Sequence, residues 1–395
     1  MDIELKSGYR EHVLNRLHKV MTDNNLDMLI LSTFENIFYA TGFRSTAERA
    51  VALLNNDGIY GMVIPYFEAP SARKFFGDSV HLYFFGNFKF SFHEESEDEF
   101  TTYLQEMEEL CFSDYDEALA YAIENSGISI GRVGIDENFI TFVSWNALVE
   151  KFNNIVFSPA ADIIYNARKI KHPYEIECLE RAAAIVEQSI IAVTQQLQKG
   201  MSEQDLGWIF NAEVSKRRAD VFFNVIAIDE HGAFADTQRT DKKIRKGSHI
   251  RFDVSCDYLG YKSDIARTAV ISDYNKMIEQ TYDIISQGQE CAIDALRPGV
   301  RVCDIYNIAM SKIRKEIPSY RRNHVGHGIG VEMYDKPLIT KDNTDILEPG
   351  MVISIETPFY LIGSGSAQVE DTILITDEGH RMLSKSSRNI IKIEL

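Results

Sequence analysis

The sequence predicts an α+β protein built as two successive domains, over residues 1–160 and 161–395. Three observations carry this expectation. Residues up to about 160 mix strand-like and helix-like runs, the pattern of a complete α/β domain. Around Pro159–Lys171 that pattern gives way to one long helical stretch. From there, two helices followed by antiparallel strands occur twice, in 167–271 and 273–395. The second domain is therefore expected to be an internal architectural duplication, by pattern rather than by sequence-level repeat.

Taken in order, 6–24 has helical spacing of Val13, Leu17, Val20 and Met21, and LDMLILS (26–32) reads as a buried strand. NIFYATGF (36–43) reads as further strand and turn. VALLNNDGIYGMVIP (51–65) is a hairpin signal with Asn55-Asn56-Asp57-Gly58 as its turn. Helices are expected near 67–76, 114–126 and 140–152, and strands near 79–85, 128–135 and 154–158. In the second domain, 172–200 is one long helix, with Pro173 suited to its first turn and Gly200 to the residue past its end. A second helix starts at Ser202 with a capping-box sequence and runs to about Arg218, before strands near 221–228. The repeat gives helices at about 275–296 and 303–316. Its strands include MVISIETPF (351–359) and QVEDTILI (368–375), with a turn at Gly363-Ser364-Gly365-Ser366 between them.

Charge narrows the partners. There are 41 lysines and arginines against 59 aspartates and glutamates, a formal net charge of −18. That argues against nucleic acid or an anionic membrane. Part of the acid is a solvated run from Glu94 to Glu99, expected as an exposed loop or helix start. The five cysteines (Cys111, Cys178, Cys256, Cys291, Cys303) are scattered with no CxxC, which fits reduced thiols in a cytoplasmic protein. Neither a signal peptide nor a membrane span is expected, because no long apolar run occurs.

Chemistry concentrates in HIRFDVSCDYLGYKSDIARTAVI (249–271). Read as a hairpin turning at Tyr258-Leu259-Gly260, with its midpoint between 258 and 259, it places Asp253 opposite Asp264 on one face. At ~5 Å and an effective dielectric of ~20, two carboxylates repel by about 3 kcal/mol. A cation between them, or protonation of one, is required. Glu356 lies among Val352, Ile353 and Ile355, and Glu370 lies in an equally apolar strand; neither is expected to face a core unpaired. His327 sits in GHGIG (326–330), where flanking glycines permit close backbone approach. Singly, each has a bland explanation: surface acids on an exposed sheet, a structural histidine. Together they read as a cluster holding two divalent metal ions. Four carboxylates carry −4, which two such ions neutralise and one does not. Oxygen-rich ligation with one imidazole and no thiolate favours Mn(II), with Co(II), Fe(II) or Zn(II) as alternatives. Such a pair acidifies water and clamps an attacked oxygen, the chemistry of amide hydrolysis.

These strings resemble the aminopeptidase P/prolidase/creatinase family, whose catalytic domain has the pita-bread fold. The matching stretches are FDVSCDYLGYKSDIART (252–268), GHGIG (326–330), LEPGMVISIETP (347–358) and QVEDTILIT (368–376). LDMLILSTFENIFYATGF (26–43) is similar to the family's non-catalytic domain, and ARKIKHPYEIECLERAA (167–183) to its linker helix. The resemblance implies a smaller α/β creatinase-type N-terminal domain ahead of a pita-bread domain with a pseudo-twofold repeat. It implies that Asp253 ligates one metal, His327 and Glu356 the other, and that Asp264 and Glu370 bridge both. It further implies that Glu356 is the general base and that the protein is a homodimer.

The departures bear on substrate. Asp236 stands where the family has a histidine in a "PHY"-like string. Tyr334 replaces the histidine of a "VHE"-like string. Asn323 replaces a histidine four residues before His327, although His324 is adjacent. Gln368 replaces the arginine of "RIED". By the resemblance these positions contact the scissile bond or support the metals. Two readings follow: an Xaa-Pro peptidase, prolidase- or aminopeptidase P-like, or a small-molecule C–N hydrolase or lyase of the creatinase or ectoine hydrolase kind. Tyr334 could still donate to an oxyanion, and Asp236 would favour a cationic substrate. A shifted alignment is the plain alternative, since His231 lies five residues from Asp236. A non-catalytic binding module ranks last, because such members tend to lose the metal ligands.

Overall fold

A computed structural model describes residues 8–93 and 98–395. Residues 94–97, most of the expected acidic loop, lie outside the described residues. The chain divides after Arg168 into two compact units.

The first unit comprises α1 (Tyr9–Asp23), β1 (Met28–Leu31), α2 (Phe34–Thr41), β2 (Val51–Asn55), β3 (Gly58–Pro65), α3 (Ala69–Phe76), β4 (His81–Phe85), α4 (Glu99–Glu109), α5 (Tyr115–Asn125), β5 (Gly131–Ile135), α6 (Phe142–Lys151), β6 (Ile155–Pro159) and α7 (Ala161–Arg168). Its sheet runs β4-β3-β2-β1-β5-β6, with β1–β2 and β2–β3 antiparallel and the remaining pairs parallel. Apolar side chains of the strands, such as Ile30, Leu53 and Val133, pack on Leu119 and Ile123 of α5. One expectation fails here. Residues 36–41 are helical, not strand, because Thr33 caps the Asn36 N–H and Gly42 ends the helix at φ 76°. The two caps outweigh the β preference of Phe38 and Tyr39. Helix α7 is held to α1 by Arg16, which donates to the carbonyls of Asn166 (3.0 Å) and Ala167 (3.1 Å).

The second unit opens with α8 (Pro173–Gln196) and α9 (Glu203–Lys216). Ser202 and Asp205 form a reciprocal capping box at the start of α9. Strands β7 (Asp220–Ile228), β8 (His249–Tyr258), β9 (Tyr261–Lys262) and β10 (Ile265–Ile271) follow. Then α10 (Lys276–Asp294) and α11 (Val302–Glu316) repeat the helix pair. The chain ends with β11 (His324–Gly328), β12 (Asp335–Thr340), β13 (Val352–Glu356), β14 (Phe359–Leu361), β15 (Gly365–Ala367), β16 (Glu370–Ile375), β17 (His380–Met382) and β18 (Ile391–Ile393). The large sheet runs β12-β11-β13-β16-β10-β8-β7, with β17, β18 and β9 added on β16, β10 and β8. Each helix pair covers half of one sheet face. Ile250, Phe252, Val254 and Cys256 pack on Ala182, Val186, Leu206 and Phe210. Ile353, Ile355, Ile373 and Ile375 pack on Ile285, Ile305, Ala309 and Ile313. Each such burial contributes about 1.5–3 kcal/mol, so strand orientation is strongly specified.

The β8–β9 hairpin corrects the expected register. Tyr258 pairs with Tyr261 and Asp257 with Lys262, so the turn is Leu259-Gly260, both at positive φ. Such a two-residue turn matches strand twist. Asp257 Oδ1 fixes it by accepting the Gly260 N–H at 2.7 Å. The hairpin centre lies one residue later than expected, and Asp253 pairs with Ala266, not with Asp264. Because strands alternate with period two, Asp264 still faces the same side, one diagonal step away.

Candidate metal centre

One row of residues crosses the sheet at this point. Glu356 pairs with Glu370, Glu370 with Ala266, Ala266 with Asp253, and Asp253 with Val225. Paired residues on antiparallel strands share a face, so the three acids point away from the helices. Ser354, two residues from Glu356, pairs with His327 and brings the imidazole to that face. The flanking glycines are required by packing. A Cβ on Gly326 would strike the Ser354 carbonyl, and one on Gly328 would strike the Lys336 carbonyl.

Asp264, His327 and Glu370 are buried, and one potential ligand atom from each lies within 4.8 Å of the others. His327 Nε2 is 3.5 Å from Asp264 Oδ2 and 3.7 Å from Glu370 Oε1, too long for good hydrogen bonds. Nδ1 of the same ring donates to the Gly328 carbonyl at 2.9 Å, a tautomer assigned from that geometry. Nε2 is thereby left facing the acids. His327 Nε2, Glu370 Oε1 and Glu356 Oε1 are all buried with no hydrogen-bond partner. Buried acceptors without donors are costly, and a divalent cation would satisfy all three. The donor set therefore fits the metal ions that the sequence implies.

Electrostatics agree. Burial pushes Asp253 up to about 6, against Arg251 and helped by the Glu356 charge. Burial and the Asp253 charge push Asp264 to about 6, against His327. Glu370 is raised well above the usual range by burial and by Asp264, and burial raises Glu356. Burial alone would lower His327, but Asp264 and Glu370 raise it well above its ordinary value. Crowded carboxylates bind protons when nothing else neutralises them.

The two outer acids have cationic neighbours that the sequence reading missed. Arg251, fully buried, donates Nη1 to Asp253 Oδ2 and to Gln368 Oε1, each at 2.9 Å. Its Nη2 donates to the carbonyls of Phe234 (2.9 Å) and Ala235 (2.5 Å). Gln368 stands where the resemblance expects an arginine, and Arg251 brings a guanidinium to both Gln368 and Asp253. The signal was available: Arg251 shares Asp253's period-two face in an apolar strand. Arg322 Nη2 stands 3.1 Å from Glu356 Oε1, near enough for ion pairing, and His324 Nδ1 lies at the same distance; neither is angled for a hydrogen bond. Burial and the Arg322 charge lower His324 to about 4, so the ring is neutral.

The remaining expected site residues separate. The Tyr334 ring stacks on His327 at 3.9 Å and 22°, which places it against the cluster. Burial and the carboxylate charges raise its hydroxyl. The next residue, Asp335, forms a buried ion pair with Lys171 at 3.3 Å, which fixes the Tyr334 segment. Asp236 is exposed but near enough for its charge to act on Asp253. Asn323 is exposed on a bend ahead of β11 and is not brought into the cluster. His231 does not substitute for Asp236. Its Nδ1 lies 2.7 Å from Glu203 Oε1, and its Nε2 accepts from Thr237 at 2.6 Å.

Residues 177–377 match the model of metallopeptidase family M24, and residues 14–170 that of the creatinase/prolidase N-terminal domain. The chain belongs to metallopeptidase family M24. It is a hydrolase with the pita-bread fold of that family behind a creatinase-type N-terminal domain. The Xaa-Pro dipeptidase of Pyrococcus furiosus is 30% identical over 245 residues, which are 61% of this chain and 70% of that protein. An uncharacterized peptidase of Staphylococcus aureus (strain COL) is 26% identical over 383 residues, 94% of this chain and 99% of that one. Among solved structures, the Thermococcus sibiricus prolidase superposes with a TM-score of 0.83 at 23% identity, covering 100% of both chains. The X-Pro aminopeptidase of Thermotoga maritima gives 0.80 at 20%, covering 96% of this chain and 99% of that one. Both structural likenesses speak to the fold. No helix among the described residues is long and apolar enough to cross a membrane.

Proposed function

We propose that this M24 hydrolase is an Xaa-Pro peptidase, prolidase- or aminopeptidase P-like, using two divalent ions, Mn(II) by preference. The observation that carries this reading is the convergence of Asp264, His327 and Glu370 around orphaned buried acceptors, flanked by Asp253 and Glu356. The Xaa-Pro dipeptidase relatives support the substrate class. Such ions, when bound, would supply acidification of water and polarisation of the scissile carbonyl. The chain's own part is distinct. Asp253, Asp264, His327, Glu356 and Glu370 hold the ions. Glu356 Oε1, which accepts no hydrogen bond, takes the proton of the attacking water. Neutral His324 and the Tyr334 hydroxyl lie beside the cluster, where they can donate to a developing oxyanion. We also propose a cytoplasmic homodimer, on the family resemblance and the five free cysteines.

Tyr334 over His327 and the exposed Asp236 favour a second reading, a small-molecule C–N hydrolase, since they replace the family's histidines. The two separate in one assay. The Mn(II)-loaded protein is expected to release proline from a panel of Xaa-Pro peptides, and Glu356→Gln to lower kcat/KM about 10²–10⁴-fold. Absence of proline release across the panel, with turnover of guanidino or amidino metabolites instead, would overturn the peptidase reading.

A further inference from the structure

A cavity of about 420 Å³ lies beside β7, lined by Gln204 and Trp208 of α9, by Asn224 and Val225, and by the segment Asp236–Arg239. Two links join it to the metal centre. Val225 is the strand partner of Asp253. Arg251, which binds Asp253, also holds the carbonyls of Phe234 and Ala235, immediately before Asp236.

Arg239 distinguishes this cavity. In a chain of net charge −18, its guanidinium makes no hydrogen bond or ion pair with any described residue. The group lies 5.7 Å from the Trp208 ring, and its Nη1 is buried without a partner. Helix α9 makes room for it with a glycine: a Cβ on Gly207 would collide with the Arg239 guanidinium. The cations around the cluster differ. Arg251, Arg322 and Lys171 each face a carboxylate. A guanidinium held by an aromatic face, part-desolvated and lacking an acid, is a preformed anchor for a planar anion.

We propose that this cavity is a carboxylate-binding subsite of the active site, with Arg239 as its anchor and a specificity-determining residue. It rests on the peptidase reading above, which supplies a substrate carrying such a group. The carboxylate is either the free C-terminus of a short peptide or an acidic side chain; both present the same two oxygens. Asp236 on the same wall adds a negative charge that suits a zwitterionic peptide better than a simple dianion.

The test compares Ala-Pro with Ala-Pro amide, and Glu-Pro amide with Gln-Pro amide, on the Mn(II)-loaded wild type and on Arg239→Gln. Loss of one charge-assisted hydrogen bond is expected to lower the kcat/KM preference for the carboxylate-bearing member of one pair about 10- to 100-fold, through KM. The first pair reports a C-terminal source, the second a side-chain source. Arg239→Lys, which keeps charge and bulk, should retain part of the preference and guards against a folding artefact. An equal effect of Arg239→Gln on both members of both pairs would overturn the subsite. If no peptide is cleaved, calorimetric binding of the same four peptides decides. Carboxylate-dependent binding lost in Arg239→Gln upholds the subsite while the peptidase reading falls. No binding, or binding indifferent to the carboxylate, overturns the subsite.

Discussion

Asp136 in the first unit and Glu370 in the second are both almost completely buried carboxylates. Their surroundings are opposite. Asp136 Oδ2 accepts from the Ser32 N–H (3.3 Å), the Thr33 N–H (3.0 Å) and Asn36 Nδ2 (2.6 Å). It ties β5 to the start of α2, and its charge is met by donors. Glu370 faces Glu356 across the ladder, has Asp264 close by, and leaves Oε1 without a donor. Burial of an acid is therefore a poor sign of function, because a buried carboxylate with its donors is a structural brace. A shortage of donors among several acids is the sign that matters, since something outside the chain must make it good.

The sharpest way to break this contrast is to neutralise each acid. Glu370→Gln should reduce bound Mn(II) to one ion or none and lower kcat/KM at least ~10³-fold. It should leave the melting temperature of the metal-free protein unchanged or higher, because the neutral amide resembles the protonated acid that burial and Asp264 already favour there. Asp136→Asn places an amide N–H among donors, and should destabilise the protein by about 1–3 kcal/mol while metal content stays at the wild-type level. Metal analysis paired with calorimetry reads both variants. A stability loss in Glu370→Gln as large as that in Asp136→Asn would erase the distinction.

Arg251 sits between the two cases, as a brace inside the site. Its guanidinium serves Asp253, Gln368 and two backbone carbonyls, and its ring contact with Tyr360 is 5.2 Å. Arg251→Ala should lower kcat/KM about 10²-fold, with most of the metal retained, because it frees an orienting partner and not a ligand. Arg251→Lys, which lacks the planar fork, should recover little of this. Full activity in Arg251→Ala would show that Asp253 holds its place unaided.

The parts of this architecture that rest on period and caps were legible in the sequence. Helices α8 to α11 and the strands carrying Asp253, Glu356 and Glu370 lie close to where hydrophobic spacing put them. The acids' shared face followed from alternation alone, and so survived an error of one residue in the hairpin centre. That error arose because turn type is decided by the φ angles of Leu259 and Gly260, which no hydrophobic pattern encodes. Helix α2 was hidden for a related reason: its caps at Thr33 and Gly42 lie outside the β-prone run. The positions of Arg251, Arg322 and Arg239 depend on tertiary placement, so an arginine next to a ligand strand could not be told from a solvated one.

The smallest effect is also the most discriminating. Asp253 and Asp264 have ordinary values of 3.8 and are held near 6 in the folded, metal-free protein. Below about 3.8 both folded and unfolded chains carry these protons, and the stabilisation from proton uptake is fully present. Between about 3.8 and 6 the unfolded chain has released them and the folded one has not, so stability from this pair is lost as pH rises through 6. Mn(II) must displace the same protons, so its stabilisation grows over the same window. At 100 times its Kd near pH 7, Mn(II) should raise the melting temperature by about 3–6 °C, and by clearly less at pH 5. Asp136→Asn should keep this pH-dependent metal shift, whereas Asp253→Asn combined with Asp264→Asn should remove it. An Mn(II) shift equal at pH 5 and pH 7 would mean that the acids do not share their protons and their metal, and that the crowding at Glu370 is no different in kind from the burial of Asp136.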